Sequence, residues 1–182
     1  GQAAGTAIAD VLFGDYNPGG KLPVTFYQNE SDLPPFEQYA MTSQTYRYFK
    51  GKPLYPFGHG LSYTKFVFDK WTMDTAININ TRLNLQVDLT NGGQMDGDEV
   101  VQVYIKNLNV LINQPVHSLK AYQRVTVKSG ETKTVTFELA PEAFDYIDDQ
   151  GKKISAPGQF QVFVGGGQPG YGEVLSKVVS RR

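Results

Sequence analysis

Two histidines and two clusters of carboxylates are the residues of this sequence whose types could carry acid–base or nucleophilic chemistry. A serine or threonine nucleophile needs a base beside it, so any such site must draw on His59 or His117. His59 lies between Gly58 and Gly60 in an aromatic-rich stretch, a setting that suits a hydrogen-bonded structural histidine better than a catalytic one. His117 falls in a long loop between two strand patterns and is expected to be an exposed bystander. Cysteine is absent, which removes disulfides, thiolate metal sites and a thiol nucleophile.

Carboxylate pairs are the remaining option. Asp145, Asp148 and Asp149 form one cluster, and Asp96, Asp98 and Glu99 the other. The first departs from the alternating ligands and central glycine of a calcium loop. The second sits in a turn before a strand, where acidic residues are ordinary. Both are read as solvated turn charges. The glycine-rich run 165–170 lacks the Lys-Ser/Thr of a phosphate loop and reads as a hairpin turn. Asn29-Glu30-Ser31 is a glycosylation sequon, relevant only to a secreted eukaryotic protein. No catalytic residue, metal ligand or cofactor is assigned on these grounds, and the substrate-binding residues stay open.

The elements that would position such groups divide the 182 residues at residues 54–66, Leu-Tyr-Pro-Phe-Gly-His-Gly-Leu-Ser-Tyr-Thr-Lys-Phe. That stretch is too apolar to be left in solvent, and its glycines allow another backbone to approach closely, so an ordered connector between two bodies is expected. Before it, Ala3, Ala4, Ala7, Ile8, Val11 and Leu12 recur at helical spacing with Gly14 as C-cap, predicting a helix over 3–13. After a turn cluster at 15–20, residues 21–27 read as an edge strand, because Pro23 lacks a ladder donor. One helix and one edge strand cannot close a core, so their apolar faces imply partners elsewhere, upstream or on another chain. Gly1 and Gln2 lead straight into the helix, which reads as a cut edge. Residues 28–64 show little periodicity but are dense in aromatics, as expected of an extended arm on a surface.

Beyond Phe66 the period becomes two. Leu83, Leu85, Val87 and Leu89 alternate with polar residues; Val101, Val103 and Ile105, then Val135, Phe137 and Leu139, then Phe160, Val162 and Val164 repeat the pattern. Further strands are expected at about 65–73, 119–127 and 173–180. Seven short strands separated by glycine-containing turns predict a two-sheet antiparallel sandwich of the immunoglobulin or fibronectin type III kind, and the missing cysteine pair favours the latter. The chain is 40% hydrophobic and 19% charged with a net charge of −1, so there is no basic footprint for nucleic acid or an anionic membrane. No apolar run approaches the roughly 20 residues of a membrane span. The 11 Tyr, 11 Phe and Trp71 could stack on sugars, though core and interdomain packing explains them more cheaply.

Residues 1–26, Gly-Gln-Ala-Ala-Gly-Thr-Ala-Ile-Ala-Asp-Val-Leu-Phe-Gly-Asp-Tyr-Asn-Pro-Gly-Gly-Lys-Leu-Pro-Val-Thr-Phe, resemble the closing part of the α/β sandwich domain of family-3 glycoside hydrolases. Thr45-Tyr46-Arg47-Tyr48-Phe49 with Pro53-Leu54-Tyr55-Pro56-Phe57-Gly58-His59-Gly60-Leu61-Ser62-Tyr63 resembles the connector before their fibronectin type III-like domain. Val100-Val101-Gln102-Val103-Tyr104, Gln123-Arg124-Val125 and Pro157-Gly158-Gln159-Phe160 extend the likeness through the sandwich. The resemblance implies three parts: a remnant of the α/β domain at 1–32, a connector arm at 33–64 and the fibronectin type III-like sandwich at 65–182. The run Glu37-Gln38-Tyr39-Ala40-Met41 leading into Thr45–Gly51 is more similar to the β-xylosidase branch than to the β-glucosidases.

Such enzymes release single sugars from oligosaccharide ends by a retaining mechanism with two carboxylates. The family's nucleophile and acid/base belong to upstream parts whose motifs do not occur here, so no acidic residue of this chain inherits either role. The resemblance therefore implies a structural portion whose partners are the upstream catalytic domains, with an oligosaccharide as substrate of the whole, a homo-oligomer as an option, and a periplasmic or secreted location rather than a cytoplasmic one. A free-standing carbohydrate-binding module or a protein-interaction sandwich are the alternatives left open.

Overall fold

The computed structural model describes residues 1–109, 114–148 and 150–182. Its body is a sandwich of two sheets built from the period-two segments. β1 (Phe66–Met73), β3 (Leu83–Asn91) and β6 (Thr132–Leu139) form one sheet in the order β1-β3-β6. The other sheet runs β2-β10-β9-β4-β5, from β2 (Ala76–Ile77), β4 (Gly97–Asn107), β5 (Ser118–Val127), β9 (Gly158–Gly165) and β10 (Val174–Arg181). A separate two-stranded ribbon pairs β7 (Tyr146–Ile147) with β8 (Lys153–Ile154). All seven strands expected from periodicity are present.

The core lies where alternation places it. Leu83, Leu85, Val87 and Leu89 of β3 face Val101, Val103 and Ile105 of β4, with Val135, Phe137, Leu139, Phe160, Val162 and Val164 around them. Each such side chain contributes roughly 1.5–3 kcal/mol when taken fully out of water. The polar alternates Asn84 and Gln86 stay on the outer face, which is why β3 is buried at every second position. One pairing departs from the antiparallel expectation: β2 lies parallel to β10, with Ser180 opposite Ala76 and Arg181 opposite Ile77. β1 carries a bulge between Asp69 and Thr72, with Lys70 at φ 42° inside it.

The first third of the chain has a different character. Helix α1 (Ala4–Phe13) ends at Gly14, left-handed at φ 86°, as its sequence predicts. A second, single-turn helix α2 (Thr45–Tyr48) interrupts the arm. The strand expected over residues 21–27 is not formed. The segment runs antiparallel to residues 54–59 but bonds it at two points only: Leu22 N–H to the His59 carbonyl (2.8 Å) with Gly58 N–H to Leu22 (2.8 Å), and Phe26 N–H to Tyr55 (2.9 Å) with Leu54 N–H to Phe26 (2.8 Å). Between those points lie Pro23 and Pro56, which fix φ and carry no N–H, so the ladder cannot run through.

Candidate functional site

The feature that stands out is an apolar face with nothing on it. No residue of α1 is buried, and Ile8, Leu12 and Phe13 are 60%, 70% and 84% exposed. Phe36 and Tyr39 of the arm stand out almost completely. Fourteen of the eighteen large hydrophobics exposed among the described residues fall within residues 1–63. A concentration of this kind marks a surface built to be covered.

The segment that follows this helix is anchored to the sandwich. Asn17, 6% exposed, donates from Nδ2 to the Asp96 carbonyl (3.0 Å) and accepts at Oδ1 from Ser62 Oγ (2.9 Å) and Tyr63 N–H (2.9 Å), joining the N-terminal segment, the connector and the start of β4. The Tyr63 hydroxyl donates to the Val11 carbonyl at the end of α1 (2.6 Å). Lys21 reaches Glu99 Oε1 at 2.8 Å, a pair nearly sealed from solvent. Burial pushes the Glu99 carboxyl above the usual carboxylate range, and Lys21 only partly offsets it.

The connector covers the outer face of β4. Gln102 and Tyr104 alternate with the core valines, and read alone they belong on a solvent face; both are buried. Gln102 Nε2 donates to the carbonyls of Gly58 (3.4 Å) and Gly166 (3.1 Å), and the Tyr104 hydroxyl donates to Gln102 Oε1 (2.6 Å). Tyr46 of α2 stacks on Phe57 at 4.2 Å and accepts from Leu119 N–H at 3.1 Å. Gly58 adopts φ 78°, and a Cβ placed there would stand 2.4 Å from Gln102 Oε1. Gly58→Ala is therefore expected to lower the unfolding free energy by roughly 2–3 kcal/mol, from the left-handed backbone and the collision together. Gly130→Ala is the control, since Gly130 has φ 73° with open space beside it. Urea unfolding of the two variants separates the terms, and equal losses would show that the contact with Gln102 contributes nothing.

Several of the candidate groups sit elsewhere than expected. His117 is not an exposed bystander: it is 6% exposed, between the rings of Tyr46 (5.9 Å) and Tyr104 (5.5 Å), because the connector folds over the end of the loop that carries it. Burial, with Lys106 adding to it, lowers its pKa to about 4. The His59 ring packs on Tyr55 at 5.3 Å, and among the described residues it takes no side-chain hydrogen bond; its backbone bonds instead to Leu22 and Pro56. Glu99 is no solvated turn charge, and neither is Asp145, whose carboxylate is 8% exposed between Arg181 and Lys153. Burial pushes the Asp145 carboxyl up, yet Ser155, Lys153 and Arg181 outweigh it and hold it below the usual range.

Of the other acidic residues Asp98 lies on β4, paired with Thr126 of β5, and Asp96 and Asp148 keep turn roles. Asp98 accepts from Thr126 and Arg124, Asp96 from Ser129 N–H, and Asp148 from the N–H groups of Gln150 and Lys152; Asp149 lies outside the described residues. Asn29 is exposed at the start of a short 3₁₀ turn, and residues 165–170 belong to the β9–β10 hairpin loop. Among the described residues no group of three or more His, Asp or Glu could hold a metal ion.

Two family models match the chain: the glycosyl hydrolase family 3 C-terminal domain over residues 1–63, and a fibronectin type III-like domain over residues 99–168. A xylan 1,4-beta-xylosidase of Xylanibacter ruminicola is 43% identical over 166 residues, covering 91% of this chain and 19% of that protein. A periplasmic beta-glucosidase of Salmonella typhimurium is 38% identical over 178 residues, covering 91% of this chain and 23% of that protein. The solved beta-glucosidase of Kluyveromyces marxianus in complex with glucose superposes with a TM-score of 0.86 at 33% identity, over 98% of this chain and 23% of that one. The chain thus spans about a fifth to a quarter of the length of these relatives. With the buried contacts of Lys21 with Glu99 and Gln102 with Gly58 joining the two matched regions, the chain belongs to glycoside hydrolase family 3, as sequence from its C-terminal region.

Proposed function

We propose that these residues are the non-catalytic C-terminal portion of a retaining family-3 glycosidase that releases terminal β-linked xylose or glucose from oligosaccharides. Residues 1–32 then complete an α/β domain, 33–64 form the connecting arm and 65–182 the fibronectin type III-like support. The two carboxylates of a retaining glycosidase stand about 5–5.5 Å apart across the scissile bond, and in this reading both come from residues outside this chain. The contribution of this chain is to hold the α1 face in place against them. β-Xylosidase is preferred over β-glucosidase, on the residues 37–51 and on the 43% identity to the Xylanibacter ruminicola protein.

The observation that carries the reading is the bare face of Ile8, Leu12 and Phe13 on a helix joined to the connector through the Tyr63 hydroxyl. The 182-residue chain is expected to show no turnover of nitrophenyl β-xyloside or β-glucoside. In a protein that carries it behind the catalytic domains of the family, Leu12→Asp with Phe13→Asp is expected to lower both thermal midpoint and turnover, with kcat/KM higher on the xyloside. Turnover by the isolated chain at the rate of an intact enzyme, or full stability and activity of the double variant, would overturn the reading.

A further inference from the structure

A cavity of about 320 Å³ opens where α2, the end of β4, the start of β5 and the 3₁₀ turn Pro141–Phe144 meet. It is unrelated to the α1 face, and its described lining carries two cationic side chains, Arg47 and Lys120, against one carboxylate. Lys120 is half-buried, and among the described residues its ammonium makes neither an ion pair nor a hydrogen bond. Burial pulls its pKa down and the nearby Arg47 pulls it further, with the Asp145 carboxylate opposing them in part. The Arg47 guanidinium touches only the ring of Tyr48, at 5.8 Å, and pairs with no carboxylate among the described residues. Asn107 Nδ2 is buried without an acceptor. The one carboxylate among the described lining residues, Asp145, is already shared between Lys153 at 3.1 Å and Arg181 at 3.5 Å.

The half-buried Lys120, the buried Asn107 amide and the exposed Arg47 share this space with one carboxylate, Asp145, whose Oδ1 is itself buried without a hydrogen bond, so positive charge is in excess and an entering anion would offset it. The volume is at the low end of small-molecule sites, enough for one compact ligand. Tyr146 gives the wall aromatic surface, and Ser118 and Gln114 add polar groups able to meet hydroxyls. We propose that this cavity binds a single carboxylate-bearing sugar, a uronic acid, with its carboxylate between Lys120 and Arg47 and its ring against Tyr146. Inorganic anions satisfy the charge but leave the aromatic wall unused; neutral sugars satisfy the wall but leave the cations unpaired. A uronate does both.

Isothermal titration of the 182-residue chain at constant ionic strength, with glucuronate, glucose, acetate and sulfate as separate probes, tests this. Glucuronate is expected to bind at least tenfold more tightly than each of the other three, and Lys120→Met and Arg47→Gln are each expected to weaken it at least tenfold. Lys120→Met should also raise the thermal midpoint of the unliganded chain, because a half-buried unpaired charge is replaced by a chain of similar length. Glucose or sulfate binding as well as glucuronate overturns the proposal, as does unchanged affinity in the variants or no glucuronate binding up to about 10 mM, an affinity below roughly 3 kcal/mol. Arg47 is exposed, so Arg47→Gln carries the test if the lysine variant does not fold.

Discussion

Arg181→Ala is expected to cost roughly 3–5 kcal/mol of unfolding free energy, the largest single loss outside the apolar core. Arg181 is the next-to-last residue, yet it is 2% exposed. Its Nη2 donates to the carbonyls of Ile79 (2.5 Å) and Pro141 (3.1 Å) and to Ser155 Oγ (3.0 Å), its Nη1 stands 3.5 Å from Asp145, and its guanidinium lies over the Phe144 ring at 5.5 Å. Three separate segments therefore end on one planar fork, which lysine cannot replace with a single ammonium. Truncation leaves Asp145 with Lys153 and Ser155 and strips three acceptors of their donor inside a closed site. Arg181→Lys is expected to recover less than half of the loss. The backbone around it is pinned, with Arg182 N–H bonded to Ile77 and Ile79 N–H to Arg182, so the end of β10 has no easy way to swing out. A loss below about 1 kcal/mol in urea unfolding would mean that the end of β10 frays and the site is open in solution.

What the sequence made legible, and what it hid, follows from which forces are local. The strands of Leu83–Asn91 and Gly158–Gly165 could be read directly, because one face of each meets the core and the alternation records it. The helix of α1 and its glycine stop were equally plain, and so was its lack of a partner, since three exposed apolar side chains on one short helix have no use in water. β4 was only half readable. Its inner valines are explicit, but the burial of Gln102 and Tyr104 depends on Gly58, Tyr46 and Phe57 arriving from the connector. An amide and a phenol at alternate positions look the same whether water or a folded arm lies above them.

The charged groups were misplaced for the same reason. Glu99 and Asp145 lie in acidic clusters that resemble ordinary turns, and what buries them is a lysine and an arginine far away in the chain. The failed strand at residues 21–27 is a different case: Pro23 was visible, but the partner segment carries its own Pro56, and only the two together reduce a ladder to two bonded points.

His117 provides the second large effect, through pH. Its imidazole is held neutral by burial with a folded-state pKa of about 4, and its Nε2 is buried without a hydrogen-bond partner. In the unfolded chain the same group titrates near pH 6.5. Between those values the unfolded state binds a proton that the folded state refuses, so stability rises with pH across the window and is lost as pH falls through it. The loss amounts to about 3 kcal/mol by pH 4, and it levels off below that, where both states are protonated.

Glu99 works in the other direction, since its raised pKa makes protonation favour the fold, so the wild-type curve alone mixes the two. The difference between wild type and His117→Gln isolates the histidine: the variant's stability is expected to fall about 3 kcal/mol less between pH 7 and pH 4. Parallel curves would refute the assignment, as would an imidazole resonance titrating near 6.5 in the folded protein. Because His117 sits against Tyr46 and Tyr104, the site that gives way in acid is the seam between α2 and β4. The connector that carries the α1 face should therefore loosen before the core of the sandwich does, and the protection of the Leu119 amide, whose N–H is held by the Tyr46 hydroxyl, relative to its intrinsic exchange rate should fall at pH 5 while that of Val87 does not.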